Sequence, residues 1–234
     1  MARTATLLEL RTQVRERANI ENSTFIVDSE LNTYINASIA WVYDLLVSAY
    51  GSDYFITSTD FTTVNNQDFY TWAETGITDF YKMMGVSIVP GTGEEIPLKK
   101  FMFRDRGRFN GATSWNRYGR TTLRYRVRGD GLWFNQKPSG GQTVRLYHVP
   151  YRAKLTSDTN TFDGINGWEE LVVIDSSIKC YKKEESDSSD LEKERAIHVQ
   201  RVEDMADDRD LAEPERVTDV TGYLDETTFG DYEF

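Results

Sequence analysis

Hydrophobic residues recur at helical spacing near the N-terminus. Residues 6–18 carry a short apolar face, and Thr6 with Glu9 three residues later has the pattern of a capping box. A longer amphipathic helix is predicted from Asp28, interpreted as its N-cap, to Gly51, because glycine often follows the last turn of a helix. The apolar positions of this second helix are Leu31, Tyr34, Ile35, Ile39, Val42, Leu45, Leu46 and Ala49.

Helical spacing returns in the last third of the chain. One helix is predicted to begin after a cap at Asn166, with Glu169 three residues later, and to end near Lys183. Its apolar face consists of Trp168, Leu171, Val172, Ile174, Ile178 and Tyr181. After a polar break at 185–190, another helix is predicted to end near Pro214. Its apolar positions are Leu191, Ile197, Val202, Met205 and Ala206.

The middle of the chain has the composition of short strands. Residues 52–97 are rich in Tyr, Phe, Thr, Ile and Val, and the segments DYFITSTDFTTV, FYTW and YKMMGVSIV are predicted strands. The basic run KKFMFRDRGRFNG, with Pro97 and Leu98 before it, predicts a short helix that closes near Gly111. Three further strands within 123–151 are separated by the turn sequences GDG and PSGG, which predicts a three-stranded meander.

The order of these elements predicts an α+β fold. Helices at 1–51 and 162–212 are expected to pack together as a helical bundle, because neither pair has enough apolar partners by itself. Residues 52–161 form a β-rich insertion with a short basic helix, and residues 213–234 form an extended acidic tail with aromatic residues.

Charge is distributed in blocks along a chain whose net charge is -11. Residues 98–161 hold 14 Lys and Arg against 3 Asp and Glu, whereas both flanks are acidic. Within this basic block, Arg124, Arg126 and Arg128 alternate with apolar residues, so a strand there has an arginine stripe on one face. We expect this stripe to contact an acidic surface, including that of a second copy. A solvated face ranks second and a nucleic-acid contact third.

The motif search favours a structural role over an enzymatic one. The sequence has no nucleotide-binding glycine motif, no HExxH and no CxxC, and its two histidines, His148 and His198, are far apart. Cys180 is predicted to be a buried, inert thiol, and no apolar run reaches the roughly 18 residues that a membrane span needs. We therefore predict no catalytic residues, no metal and no cofactor. An enzyme with two carboxylates as acid and base stays a weak alternative, because no spacing selects a pair.

The segment DTNTFDGINGWE, residues 158–169, has some features of a calcium-binding loop. Asp158, Asn160 and Glu169 stand at loop positions 1, 3 and 12, but Phe162 and Asp163 occupy positions that need an oxygen ligand and a glycine. A turn before a helix is the preferred interpretation.

Two stretches of the chain resemble the head-to-tail adaptor proteins of tailed bacteriophages. The first is TLLELRTQVRERANIENSTFIVDSELNTYINASIAWVYDLL. The second is GLWFNQKPSGGQTVRLYHVPYRAKL followed by TSDTNTFDGING and WEELVVIDSSIKCYKKEESD. The resemblance covers most of residues 5–212, is weakest at 52–120, and rests on the order of elements.

This resemblance implies a non-enzymatic virion protein of the neck, made in the cytoplasm of a bacterial host. Adaptors of this kind form a ring, commonly of twelve copies, beneath the portal protein. The ring extends the DNA channel, through which DNA passes without sequence-specific binding, and provides the docking surface for the tail nozzle or tube. It has no membrane partner. The resemblance also implies that the C-terminal segment reaches the portal, with the anchors Tyr223, Leu224, Phe229, Tyr232 and Phe234.

Two alternatives remain open from the sequence. The chain could be another neck or tail component, such as a stopper or a tail-completion protein. It could also be a nucleic-acid-binding module that uses the arginine stripe together with Trp133 or Tyr147 as stacking groups.

Overall fold

The computed structural model describes residues 4–21, 23–91, 94–106, 123–164 and 167–207. These residues form helices and mostly antiparallel sheets, so the predicted α+β class is confirmed. The C-terminal tail, residues 213–234, lies outside the described residues.

The two N-terminal helices have the predicted lengths. Helix α1 spans Leu7–Arg17 and helix α2 spans Asp28–Ala49, and Thr6 and Glu9 form the predicted capping box at the start of α1. The prediction of Asp28 as an N-cap is wrong, because Val27 holds the extended cap position and Asp28 is the first helical residue. The Asp28 carboxylate instead accepts a hydrogen bond of 2.8 Å from Arg15, which lowers the pKa of Asp28.

The two C-terminal helices are α4, Glu169–Lys183, and α5, Ser189–Asp207. Between them and α2 the chain also forms a one-turn helix, α3, Trp72–Thr75. Trp168 is the N-cap of α4, so the predicted cap at Asn166, which lies outside the described residues, is wrong. The predicted continuation of α5 to Pro214 also lies outside them.

Helix α5 buries less of its apolar face than predicted. Val202 is fully buried, but Ile197 is 62% exposed and Met205 is 51% exposed. The reason is that polar groups make much of its contact with the neighbouring helices: Arg195 of α5 donates a 2.7 Å hydrogen bond to Asp175 of α4.

One hydrophobic cluster joins helices from both ends of the chain. It contains Leu10 of α1, Ile35 of α2, Leu171 of α4 and Val202 of α5. Strand β1, Thr4–Thr6, also pairs antiparallel with strand β10, Thr161–Asp163, so the start of the chain is hydrogen-bonded to the end of the β-rich region.

The β-rich region consists of two four-stranded sheets. The first has the order β2-β9-β4-β5 and the second the order β3-β8-β7-β6. Their strands are β2 Thr57–Thr62, β3 Phe69–Thr71, β4 Phe80–Gly91, β5 Glu94–Pro97, β6 Lys99–Lys100, β7 Arg124–Arg128, β8 Gly131–Phe134 and β9 Thr143–Pro150. Buried residues from both sheets share a second hydrophobic cluster, so the two sheets pack against one another.

The predicted meander is half right. Strands β7 and β8 form the predicted hairpin around Gly129 and Asp130, but β9 lies in the other sheet, between β2 and β4. Residues 135–142 connect the two sheets. In the first sheet, β9 is hydrogen-bonded to β2 along one edge and to β4 along the other. The alternating residues Val144, Leu146 and His148 of β9 are buried.

Two shorter predictions are also corrected. The strand at FYTW ends at Thr71, which caps the one-turn helix α3 by a second capping box with Glu74. The predicted basic helix is wrong over 97–106, because Lys99 and Lys100 pair in parallel with β7 and only Phe103–Asp105 form a 3-10 turn. Residues 107–111 of that prediction lie outside the described residues.

The first sheet contacts the helices through α2. Tyr43 and Val47 of α2 form a small buried cluster with Val149 of β9, and the Tyr43 hydroxyl donates a 2.6 Å hydrogen bond to the carbonyl oxygen of Pro150. Among the described helices, none is both long enough and apolar enough to cross a lipid bilayer.

Gly131 permits the close approach of β3 to β8. A Cβ at this position would clash with the carbonyl oxygen of Tyr70 and would lie 2.8 Å from the ring of Phe69. We expect Gly131→Ala to lower the free energy of unfolding by about 1–3 kcal/mol, the usual cost of overpacking. Urea unfolding followed by circular dichroism measures this. Gly91→Ala is the control, because nothing lies within 4 Å of a Cβ there, and equal losses in both variants would contradict the prediction.

Candidate basic and aromatic interface

Strand β7 points its three arginines away from the protein core. Leu123 and Tyr125 are 1% and 3% exposed and belong to the cluster between the sheets, whereas Arg126 and Arg128 are exposed and Arg124 is half-buried. The predicted alternation along this strand is therefore confirmed, because consecutive strand residues point to opposite faces of the sheet.

Aromatic rings lie between the guanidinium groups on the same face. Arg126 pairs with Trp133 across the hairpin, and its Cζ atom is 5.9 Å from the ring centroid of Phe103. Arg128 lies 5.5 Å from the centroid of Trp133, and Arg106 lies 4.4 Å from that of Phe103. These distances are within the range of cation–π attraction, so each arginine is held against an aromatic ring.

We call this surface the basic–aromatic face. It is formed by Lys99, Phe103, Arg106, Arg124, Arg126, Arg128 and Trp133. Phe103 is 51% exposed, so the face presents apolar area between its cations. A face that combines exposed apolar area with arginine and tryptophan has the composition of an interface centre.

The residues that the structure describes do not neutralise Arg126 and Arg128, the two arginines at the centre of this face. Arg126 and Arg128 form no ion pair with any carboxylate that the structure describes. By contrast, Arg145 on the first sheet makes two 2.8 Å hydrogen bonds to Asp60, which lower the pKa of that carboxyl, and also pairs with Glu95. The difference leaves positive charge concentrated on the second sheet.

Neighbouring polar groups hold the hairpin of this face in place. The Trp133 indole Nε1 donates a 3.3 Å hydrogen bond to Asp68, which fixes the ring beside the arginines. Asn135 exchanges two hydrogen bonds with the backbone of Arg124, at 2.6 and 3.0 Å, and so fastens the end of the hairpin. These bonds hold the Trp133 ring and the start of β7 in place within the face.

Sequence reasoning identified the three arginines but missed Phe103 and Arg106. These residues stand in the basic run that was interpreted as a helix, where they would point in several directions. The pairing of Lys99 and Lys100 with β7 brings them to the stripe instead. No local signal in the run indicates that pairing, because its strand is only two residues long.

The other candidate groups lie in the interior. His148 is 1% exposed, with Nε2 3.4 Å from a carboxylate oxygen of Asp79, and His198 is half-buried in α5. Cys180 is buried as predicted, and this burial raises the pKa of its thiol to about 11. Among the residues that the structure describes, no group of three His, Cys, Asp or Glu is placed to hold a metal ion.

The segment with calcium-loop features begins with a turn at 157–159, in agreement with the preferred interpretation, and residues 161–163 then form β10. The Asn160 side-chain oxygen accepts hydrogen bonds from the backbone of Thr156 and Ser157, and Asp158 pairs with Arg11. These oxygen atoms are thus used to close the turn and to attach it to α1.

A groove of about 800 Å³ lies between α2 and the segment that follows β9. Tyr43, Phe55 and Arg152 are among its lining residues. The Tyr43 hydroxyl is bonded to the backbone of Pro150, and Arg152 lies 5.6 Å from the ring centroid of Phe162. Both side chains thus make contacts that hold the helices and the β-rich region together.

The predicted tail anchors Tyr223, Leu224, Phe229, Tyr232 and Phe234 lie outside the described residues, so the structure brings only the arginine stripe and its aromatic neighbours together. Comparison of the chain with protein-family models and with curated protein sequences found no match.

Proposed function

We propose that this chain is a head-to-tail adaptor of a tailed bacteriophage, which assembles as a ring beneath the portal protein. The observation that carries the proposal is the basic–aromatic face, whose arginines Arg126 and Arg128 have no carboxylate partner among the described residues of an otherwise acidic chain. An exposed face of this kind needs a partner surface that supplies negative charge and apolar area. Residues 6–46 and 131–187 resemble phage adaptors, which form rings. In such a ring, a neighbouring subunit supplies the partner surface.

In this proposal the chain has three working parts. The helices of 1–51 and 162–212 form a bundle that is the body of each subunit. The β-rich insertion, 52–161, presents the basic–aromatic face, and the extended tail, 213–234, reaches the portal through its aromatic anchors. The ring has twelve copies, docks the tail nozzle or tube on its far side, and encloses DNA that it does not read.

The partner surface for the face is the outer side of α5 in a neighbouring subunit. Ile197, Asp204 and Met205 share one side of this helix by their spacing, and all three are exposed. They offer a carboxylate beside two apolar side chains, which complements the arginines and rings of the face. Contacts between two different surfaces of the same chain generate a closed ring when the rotation between subunits divides a full turn.

A nucleic-acid-binding module is the second candidate, because guanidinium groups beside Trp133 and Phe103 can hold phosphates and stack bases. Tyr147, the other stacking group predicted from sequence, does not belong to this face. It is on β9 of the first sheet, and its hydroxyl donates a 2.7 Å hydrogen bond to Glu95. A net charge of -11 also opposes encounter with free nucleic acid.

The direct test is to mix the purified chain with the portal ring encoded in the same genome and to image the mixture by negative-stain electron microscopy. We expect an additional ring at one end of the portal, with a countable symmetry. A competent portal that gains no ring would reject the adaptor role and favour a stopper or tail-completion protein. Tight, steeply salt-dependent binding of single-stranded DNA would favour the second candidate instead.

A further inference from the structure

The basic–aromatic face sets narrow requirements for whatever covers it. Its occupant must bring carboxylates to Arg126 and Arg128 and apolar groups to the exposed ring of Phe103. Because cations and rings alternate on the face, the carboxylates and apolar groups of the occupant should also be closely interspersed. An acidic peptide rich in aromatic residues satisfies these conditions.

The chain contains a segment of this composition. Residues 221–234, TGYLDETTFGDYEF, have four aromatic residues and four carboxylates and no Lys or Arg. The carboxylates stand one to three positions from an aromatic residue throughout: Asp225, Glu226, Asp231 and Glu233. The segment is therefore complementary in both charge and ring content to the face.

We propose that, in the unassembled chain, the basic–aromatic face binds the chain's own C-terminal segment, residues 221–234. Helix α5 ends at Asp207, and the residues from there to Tyr223 can span up to about 50 Å when extended. A compact domain of this length is about 45 Å across, so a tether of this length reaches over a large part of the surface around the end of α5. Tethering also gives the segment an effective concentration of about 1 mM, which favours it over a second copy in dilute solution.

The consequence, which rests on the proposed function, concerns the timing of assembly. The face is the surface that a neighbouring subunit needs, and the C-terminal segment is the part that the portal needs. While each covers the other, neither is available, and the free chain stays monomeric. The portal releases the face by binding the segment, so subunits join only on the portal.

The test uses the full-length chain without any portal. Phe229 is replaced by photoreactive p-benzoylphenylalanine, the chain is irradiated at micromolar concentration, and crosslinked peptides are identified by mass spectrometry. We expect crosslinks to peptides that contain Phe103 or Trp133. In an equal mixture of ¹⁴N- and ¹⁵N-labelled chains, each crosslinked pair should carry a single label, because the contact is within one chain.

Matched variants make the result specific. Arg126→Glu/Arg128→Glu should abolish the crosslink, whereas Lys82→Glu/Lys154→Glu, which changes the net charge equally outside the second sheet, should keep it. The same photoreactive residue at Phe25, which is 57% exposed near the helices, should give no crosslink to the face.

Three outcomes would overturn the proposal. They are the absence of a crosslink from position 229 to the face, its persistence in the arginine variant, and crosslinks that join the two isotopes. The last would mean that the segment of a second copy is the occupant. None of these outcomes depends on the portal, so a failure here is distinguishable from a failure of the adaptor role, which the portal mixture tests.

Discussion

Reversal of the arginine stripe should prevent ring formation on the portal while the chain still folds. The change is the triple variant Arg124→Glu/Arg126→Glu/Arg128→Glu. These side chains lie on the solvent side of β7, so their reversal leaves the apolar cluster between the sheets intact. At the proposed contact with a neighbouring subunit, however, it replaces attraction to acidic groups by repulsion. Negative-stain images of portal mixed with the variant should show portals without an added ring, and circular dichroism should show the wild-type spectrum.

The size of this effect follows from repetition around the ring. A single exposed ion pair contributes only about 0–1 kcal/mol, so one substitution should weaken assembly without abolishing it. The three reversals add up at each contact between subunits. A ring that stays incomplete also lacks the contact between its first and last subunits, which would stabilise it further. We therefore expect a loss of rings for the triple variant and a reduced number for Arg126→Glu alone.

Two control variants test whether the loss of rings comes from the other contacts of Arg124 or from the change in net charge. Arg124 makes further contacts within the chain, so the double variant Arg126→Glu/Arg128→Glu tests the stripe with that residue in place. Lys82→Glu/Lys154→Glu has the same net charge as the double variant but leaves the second sheet unchanged. Rings formed by both doubles would refute a role of the stripe in assembly, and rings formed by neither would indicate an effect of net charge alone.

The sequence predicted those parts of the fold that depend on local periodicity. Helices α1, α2 and α4 were found by their apolar spacing, and the alternation of Arg126 with Tyr125 and Val127 revealed a strand with one solvent face. Both patterns are set by backbone geometry, which repeats every 3.6 or every two residues.

Pairing between distant strands was not predictable in the same way. The loop between β8 and β9 has the turn residues of a hairpin, yet β9 crosses to the first sheet because β2 and β4 occupy both of its edges there. Likewise, β6 is two residues long, and its parallel pairing with β7 is what brings Phe103 to the arginines. Turn chemistry indicates where a chain reverses but not which sheet receives it.

Replacement of Asp175 should cause a large loss of stability for a single substitution of a charged residue in the helices. Asp175 is 5% exposed and accepts hydrogen bonds from Ser38 of α2, Lys179 of α4 and Arg195 of α5, at 2.8, 2.7 and 2.7 Å. Asp175→Ala leaves both cations without this carboxylate. Breaking a fully buried pair costs about 3–5 kcal/mol, and because the Lys179 and Arg195 side chains are 30% and 33% exposed, we expect about 2–4 kcal/mol.

Urea unfolding followed by circular dichroism at pH 7 measures this loss. Asp190→Ala is the matched control. Asp190 pairs with Lys193 within α5, but its side chain is 95% exposed. We therefore expect this substitution to change the unfolding free energy by at most about 0.5 kcal/mol. Equal effects of the two substitutions would contradict the assignment of Asp175 as the charge that joins α2, α4 and α5.

The effect of Asp175 should also depend on pH. Burial by itself raises the pKa of Asp175, but the hydrogen bonds from Lys179, Ser38 and Arg195 outweigh it, and the pKa is lower than its usual value. A carboxylate whose pKa is lowered by folding stabilises the protein above its unfolded pKa of about 3.9, and this contribution is lost as the pH falls through the folded pKa. The difference in unfolding free energy between the wild type and Asp175→Ala should therefore be largest near neutral pH and should shrink below about pH 4. Because both proteins retain Asp28, whose pKa is also lowered, its contribution cancels in this difference. A difference that stayed constant from pH 7 to pH 3 would mean that Asp175 stabilises the helices by packing rather than by its charge.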